Sequence, residues 1–203
     1  MSTNTRPYIL ILYYSVHGAT QKLAEQIAKG VESLPEIDAM VRTVPAVSSG
    51  LSGKVRSVPE QGAPYVTLAE FTHCIGLALG SPTRFGNMAA ALKYFLDSTS
   101  QTWLNGDLIG KPATVFTSSA SMHGGQETTL LSMMLPLLHQ GMVIVGIPYS
   151  ETSLNTTQSG GTPYGLSHVS FGHNETPLSA EETKLGTHIG KHLATIALKL
   201  QPT

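Results

Sequence analysis

Short apolar runs alternate with segments of helical periodicity along this chain, and that alternation restricts its possible folds more than any other feature. The runs occupy residues 8–14, 40–44, 74–79, 113–117 and 142–147. Each has the length of a strand that is buried on both faces, and a helical pattern follows most of them. Five such strands with no internal repeat predict an α/β protein with a doubly wound parallel sheet and helices on both faces. We interpret residues 1–203 as a single domain.

Helix and turn signals divide the rest of the sequence. Helices are predicted at 23–34, 67–71 and 88–96, from 126 onward and from 179 onward. Pro136 is expected to bend the fourth of these helices, and Ser179 with Glu182 forms a capping box for the last. Two long segments, 45–64 and 148–177, are rich in turn-forming residues and are predicted as loops.

Composition limits the functions that such a domain could carry. The net charge is −1 and the isoelectric point is near 6.7, which leaves no basic stripe for the phosphates of a nucleic acid. The single cysteine, Cys74, lies in an apolar run, which indicates a buried thiol in a reducing compartment. No apolar stretch is long enough to span a bilayer. The sequence therefore predicts a cytoplasmic protein that binds no nucleic acid and does not span a membrane.

Three loops rich in serine, threonine and glycine follow the first, third and fourth predicted strands. They are residues 15–20, 80–87 and 118–125. Ligands of parallel sheets bind beyond the carboxyl ends of the strands, so the three loops are expected to converge on one edge. Residues 15–20 would place hydroxyls and the amides of a helix N-terminus around one small volume, which suits a phosphate. Taken alone, this loop is better interpreted as an ordinary capped turn, and it is the occurrence of three such loops that favours a binding site.

Several known phosphate-site patterns are absent from the first loop. Residues 15–20 contain no lysine or arginine, so the loop is not of the Walker type, and no G-x-G-x-x-G dinucleotide fingerprint is present. No aspartate ends the first or third strand, which disfavours a phosphoacceptor receiver domain of the same topology. A monophosphate held by neutral donors is the remaining interpretation.

Four strings of residues together resemble one protein family. They are YYSVHGAT (13–20), GSPTRFGNM (80–88), FTSSASMHGGQET (116–128) and GGTPYG (160–165). In this order and spacing they are similar to the tryptophan-repressor-binding-protein A (WrbA) family of flavodoxin-like NAD(P)H:quinone oxidoreductases. The resemblance extends from the first strand to the last helix. It implies a flavodoxin-like fold, bound FMN, NADH or NADPH as the electron donor and a quinone as the acceptor.

The resemblance also implies roles for residues of the three loops. The first loop would hold the FMN phosphate through Ser15, Val16, His17, Gly18, Ala19 and Thr20. The second would line the isoalloxazine ring through Pro82, Thr83, Arg84, Phe85, Gly86 and Asn87. The third would close over the ring's polar edge and the ribityl chain through Ser118, Ser119, Ala120, Ser121, Met122, His123 and Gly124. Convergent N–H donors there would stabilise the negative charge of a reduced flavin.

The same resemblance assigns three residues outside these loops. His139 would lie against the flavin as the catalytic residue, and Trp103 and Tyr164 would line the substrate cavity. Without the family, His139 is a helix-terminal cation or a packed core residue, and Trp103, on a predicted loop, is a packing or interface residue. Arg84 could be an ordinary surface cation, but its place between a strand end and Phe85-Gly86 favours a site role, and Phe85 could be a core residue. Family resemblance further implies a homotetramer, a dimer of dimers, whose neighbouring subunits complete each flavin cavity.

The sequence departs from the family pattern at two places. Position 17 is histidine where the family often has tyrosine. Met122 and His123 stand where close relatives carry glycines, in a loop that is one residue longer. We expect these departures to affect substrate preference more than FMN binding.

The predicted activity is the two-electron reduction of quinones to hydroquinones by NAD(P)H, in a ping-pong sequence through FMN. The alternative is a flavodoxin-type carrier of single electrons, which the near-neutral charge and the two long loops disfavour. A third possibility, an interaction protein acting on a transcription factor, has no support in the residues. No metal is predicted, and no acid–base pair is needed, because the flavin carries the redox chemistry.

Overall fold

Strands and helices alternate along the chain in the computed structural model, which describes residues 6–47, 59, 62–173 and 176–201. The strands are β1 (Tyr8–Tyr13), β2 (Asp38–Thr43), β3 (Gly76–Pro82), β4 (Pro112–Ser119), β5 (Val143–Ile144) and β6 (Leu166–Val169). The helices are α1 (Ala19–Glu32), α2 (Leu68–His73), α3 (Ala90–Asp97), α4 (Ser100–Asn105), α5 (Gln126–His139), α6 (Ser153–Thr156) and α7 (Ala180–Lys199). No helix in these ranges is long and apolar enough to cross a membrane.

The strands form one parallel sheet with helices on both faces. Their order is β2-β1-β3-β4-β5, and β6 also pairs with β4. Side chains of β1 alternate between two buried clusters: Ile9 and Ile11 pack with α1 and α7, whereas Leu10 and Leu12 pack with α3 and α5. Because both faces of β1 are removed from water, its sequence is continuously apolar rather than alternating. The predicted fold class is confirmed.

The fifth position of the sheet is occupied by two short strands instead of one. β5 pairs with the start of β4, and β6 pairs with its end. The single strand predicted over 142–147 is therefore wrong in extent, because the chain leaves the sheet after Ile144 and returns at Leu166. The segment 148–177, predicted as a loop, accordingly contains α6 and β6.

Trp103 lies on a helix and not on a loop, which corrects the prediction for its segment. α4 has only six residues and ends at Gly106, whose φ is 73°. A helix this short shows too little apolar periodicity to be recognised in the sequence. The other long predicted loop, 45–64, falls largely outside the described residues, since 48–58 and 60–61 are not among them.

The capping box predicted for the last helix is present. The Ser179 hydroxyl accepts a hydrogen bond from the amide of Glu182 at 3.1 Å, and a carboxylate oxygen of Glu182 accepts one from the amide of Ser179 at 2.9 Å. α7 therefore begins where the sequence signal places it. Pro136 lies inside α5, close to its end.

α1 and α7 pack against each other at positions where only glycine fits. A Cβ atom at Gly190 would lie 2.1 Å from the carbonyl oxygen of Ile27, and a Cβ atom at Gly30 would lie 2.1 Å from that of Thr187. The two main chains therefore approach more closely than any side chain allows. Because α1 begins at the first of the three loops, this contact also fixes one wall of the candidate site.

Candidate active site

The three polar loops meet at one edge of the sheet, beyond the carboxyl ends of β1, β3 and β4. They enclose a cavity of about 280 Å3. It is lined by Ser15, Val16, His17, Ala19, Thr20, Pro82, Thr83, Arg84, Ser118, Ser119, Ala120, Ser121, Gly124 and Ser170. Among the described residues, no carboxylate belongs to this lining. Ser170, directly after β6, was not predicted, because its position depends on the pairing of β6 with β4.

The first loop directs amide donors towards this cavity. Gly18 has a left-handed conformation with a φ of 84°, and its amide donates to the Ser15 hydroxyl at 3.1 Å. α1 begins at the next residue, and no side chain caps its N-terminus. The amides of the first helical turn therefore have no partner within the helix, and their partial positive charge favours a bound anion.

A pair of hydroxyls joins the first loop to the third. Thr20 is 1% exposed, and its Oγ1 lies 3.0 Å from Oγ of Ser118 at the end of β4. The cavity thus combines a helix N-terminus with hydroxyl groups, and none of the described residues that line it is anionic. FMN carries a phosphate and a ribityl chain of hydroxyls, so the residues present fit this cofactor.

The second loop turns sharply at Phe85 and Gly86. The amide of Arg84 donates to the carbonyl of Asn87 at 2.7 Å, and the amide of Asn87 donates back at 3.0 Å. The φ angles of the two central residues are 52° and 76°, the combination of a type I′ turn. For a phenylalanine this conformation costs on the order of 1 kcal/mol. The turn leaves the Phe85 ring fully exposed, and Phe85, unlike Arg84, does not line the cavity.

The third loop separates the cavity from a second hollow. Met122 and His123 line this hollow of about 520 Å3 together with Gly161 and Thr162. The serines of the loop instead face the 280 Å3 cavity. Of the predicted flavin contacts, Met122 and His123 therefore lie on the far side of the loop, and their role stays a prediction.

His139 and Trp103 lie together, but neither lines the cavity formed by the three loops. Both line a groove of about 350 Å3 beside Pro136 and Gln140, between α4 and the end of α5. Tyr164 is 41% exposed and belongs to a tight turn, in which the amide of Gly165 donates to the carbonyl of Thr162 at 3.3 Å. Within one chain, the structure brings most of the predicted loop residues to one cavity and leaves His139 and Trp103 apart from it. The predicted loop residues that do not line the cavity are Gly18, Phe85, Gly86, Asn87, Met122 and His123.

A larger hollow, of about 930 Å3, lies at the opposite edge of the sheet, beside the start of β1 and along β2. Four charged residues that line it form two ion pairs with each other: Arg6 contacts Asp38 at 3.1 Å, and Arg42 contacts Glu70 at 2.6 Å. The hydrogen bond from Arg42 holds the pKa of Glu70 below its usual value. Because these charges are paired and the hollow lies at the amino ends of the strands, we place the candidate site at the cavity formed by the three loops.

The strand order and the loops at the carboxyl edge define a flavodoxin-like α/β protein. A WrbA-like flavodoxin protein from Agrobacterium tumefaciens has the same fold, with a TM-score of 0.69 and 20% sequence identity, over 96% of this chain and 99% of that one. A flavodoxin from the domain Archaea superimposes with a TM-score of 0.60 and 19% identity, over 94% and 99% of the two chains. At these identities the likeness concerns the fold.

Sequence relatives identify the family. The family model described as NADPH-dependent FMN reductase matches residues 7–153. A protein from Geobacter sulfurreducens named NAD(P)H dehydrogenase (quinone) is 42% identical over 200 residues, which cover 95% of this chain and 98% of that protein. A protein of the same name from Solidesulfovibrio magneticus is 39% identical over 201 residues, with the same coverage. The chain belongs to the NADPH-dependent FMN reductase family, and the resemblance found in its sequence is confirmed.

Proposed function

We propose that this protein is an FMN-dependent oxidoreductase that reduces quinones with NAD(P)H. The observation that carries the proposal is the identity of about 40% over nearly the whole chain with two proteins named NAD(P)H dehydrogenase (quinone). The cavity at the carboxyl edge supports it, because its amide and hydroxyl donors suit FMN. The activity predicted from the sequence agrees with the names of these relatives.

The residues of the cavity supply binding and orientation, whereas FMN, when bound, supplies the two-electron chemistry. The amides at the start of α1 and the Ser15 hydroxyl would hold the phosphate. The Thr20 hydroxyl, at the end of the same loop, lies 3.0 Å from that of Ser118, which would bond the ribityl chain. The third loop would present its amides to the polar edge of the ring, where negative charge develops on reduction.

Arg84 supplies a positive charge at the rim of the cavity. Its guanidinium donates to the carbonyl of Thr83 at 2.8 Å, which holds the side chain beside the lining. Since none of the described lining residues is a carboxylate, this charge is not neutralised there. Arg84 would thus favour binding of an anionic donor such as NAD(P)H and the retention of negative charge during turnover.

Steady-state kinetics with NADH or NADPH and a water-soluble benzoquinone test the activity. We expect turnover that depends on added FMN, and parallel double-reciprocal lines, because donor and acceptor would occupy the same cavity in turn. The matched control is the same preparation without FMN. Intersecting lines would indicate a ternary complex, and FMN binding without quinone turnover would favour the single-electron carrier instead.

The homotetramer is part of the same proposal and is supported by an exposed apolar surface on α4 and α5. Its residues are Trp103, Leu104, Leu131, Leu135 and Leu138, which are 44–67% exposed. Exposed apolar side chains on two helices that border one groove are typical of an association surface. His139 lies directly after this surface, so association would bring it to the cavity of a neighbouring subunit, which it does not reach in its own chain. The cytoplasm remains the predicted location.

Replacing Trp103 by alanine should weaken association and quinone turnover together, each several-fold, because the indole is half-exposed on this surface. Light scattering and specific activity over a dilution series, with FMN saturating, would measure both effects. Tyr149→Ala is the matched control, since this tyrosine is 62% exposed but lies outside α4 and α5. A fully active monomer across the dilution range would contradict the assembly proposal.

His139→Ala should lower turnover more than FMN affinity.

A further inference from the structure

Glu182 and His168 form a buried polar pair that the three loops do not include. Both residues are 1% exposed, and Nδ1 of His168 lies 2.8 Å from Oε2 of Glu182. Burying such groups is unfavourable unless their hydrogen-bonding capacity is used, so a pair of this kind needs a structural or functional reason. Neither residue lines the cavity assigned to FMN.

The Glu182 carboxylate also accepts hydrogen bonds from three backbone amides. Oε1 accepts from Gly160 at 2.8 Å and from Val169 at 3.3 Å, and Oε2 accepts from Ser179 at 2.9 Å. A capping box requires only the bond from Ser179. Burial raises the pKa of this carboxyl, but the donors, His168 first among them, outweigh burial and leave the pKa below its usual value. The group is therefore anionic at neutral pH.

The bond from the Val169 amide holds β6 along the edge that faces away from β4. Within the described sheet, β6 has only four residues and pairs with β4 alone. The Val169 amide is bonded to Glu182, so the carboxylate stands where a further strand would otherwise bond. The next residue, Ser170, donates from its amide to the carbonyl of Ser119 at 2.9 Å and lines the cavity. Glu182 thus holds the strand that ends in this part of the cavity wall.

The same carboxylate secures the segment that carries Tyr164. A Cβ atom at Gly160 would lie 2.0 Å from the carbonyl oxygen of Ser167 and 2.6 Å from Oε1 of Glu182, so the close approach requires glycine. The amide of Gly161 donates to the Ser167 hydroxyl at 2.8 Å, which joins the segment to β6. Gly161 also lines the hollow on the far side of the third loop. Glu182 therefore holds Ser170, in the wall of the cavity, and the 160–165 segment, in the wall of the hollow on the other side of the third loop.

We propose that Glu182, oriented by His168, is a positioning residue for the flavin cavity, where it fixes Ser170 and the 160–165 segment against the third loop. The inference rests on the proposed function, because it concerns the cavity assigned to FMN. Glu182 does not line that cavity, so it would act on FMN only through the segments it holds. Its loss should therefore appear as weaker and less ordered FMN binding, with the rate of the loaded enzyme changed less.

Three variants test the pair at temperatures where every protein is folded. Glu182→Gln keeps the size of the side chain but removes the charge and one acceptor oxygen. His168→Leu removes the donor, whereas His168→Gln retains a donor and should restore much of the loss. We expect FMN Kd to rise about tenfold in Glu182→Gln and His168→Leu and about threefold or less in His168→Gln. The visible circular dichroism of bound FMN should weaken in the same order, with kcat at saturating FMN changed less than twofold.

Ser179→Ala is the matched control. It removes the hydroxyl that caps the amide of Glu182 but leaves the acceptor contacts of the carboxylate intact. It should lower Tm by a few degrees and leave FMN Kd and the flavin signal unchanged. Wild-type FMN affinity in Glu182→Gln and His168→Leu, with only Tm lowered, would overturn the proposal. If Glu182→Gln does not fold, the proposal would be overturned by equal FMN affinities in His168→Leu and His168→Gln. Failure of the wild-type protein to bind FMN would contradict the proposed function instead.

Discussion

Riboflavin should bind this protein at least about a hundredfold more weakly than FMN, because the first loop has donors that only a phosphate can use. These donors are the uncapped amides at the start of α1 and the Ser15 hydroxyl. Hydrogen bonds to a charged group contribute about 1.5–3 kcal/mol each. Two of them account for a hundredfold difference, which corresponds to about 2.7 kcal/mol. Titration of the apoprotein with each flavin, followed by flavin fluorescence, would measure the ratio.

A pair of serine variants locates this effect in the loop. Ser15→Ala should weaken FMN binding about tenfold and leave riboflavin binding unchanged, because its hydroxyl organises the loop and lines the cavity where we propose that the phosphate binds. Ser33→Ala is the matched control, since that hydroxyl donates to the carbonyl of Gly30 at the other end of α1, at 2.7 Å. Equal affinities for FMN and riboflavin in the wild-type protein would exclude residues 15–20 as the phosphate loop.

Gly190→Ala should lower the free energy of unfolding by about 2 kcal/mol, because the new methyl group would overlap the main chain of α1. Its carbon would lie 2.1 Å from the carbonyl oxygen of Ile27, and backbone atoms cannot move aside as a flexible side chain can. Overpacking of this kind costs about 1–3 kcal/mol or more, whereas the higher helix propensity of alanine returns at most about 1 kcal/mol. Urea unfolding monitored by circular dichroism would measure the change.

The neighbouring residue provides the control for this substitution. Lys191 is exposed on the same helix, so Lys191→Ala should change the unfolding free energy by less than about 0.5 kcal/mol. Because α1 begins at the proposed phosphate loop, Gly190→Ala should also weaken FMN binding while Lys191→Ala does not. Wild-type stability in Gly190→Ala would mean that the two helices separate at little cost and that their glycines are not required for packing.

Much of the fold could be predicted because its strongest signals are local. The apolar run of β1 reflects burial on both faces, and the capping box of Ser179 and Glu182 depends on residues three positions apart. The order of such signals was enough to predict the parallel sheet and the convergence of three loops at its carboxyl edge. Family resemblance then supplied roles for loop residues that periodicity could not assign.

The sequence by itself determined the fold class, the start of α7 and the loops that meet at the cavity, since strand burial, helix capping and turn residues act over a few neighbouring positions. Tertiary structure alone decided the features that join distant segments. The hydroxyls of Thr20 and Ser118 meet across 98 positions, and Glu182 reaches back 22 positions to Gly160. The division of the fifth strand, the place of Ser170 and the separation of His139 from the cavity follow from how β4 and the helices pack. Such contacts leave no periodic pattern in the sequence, because each depends on which distant main chain lies alongside.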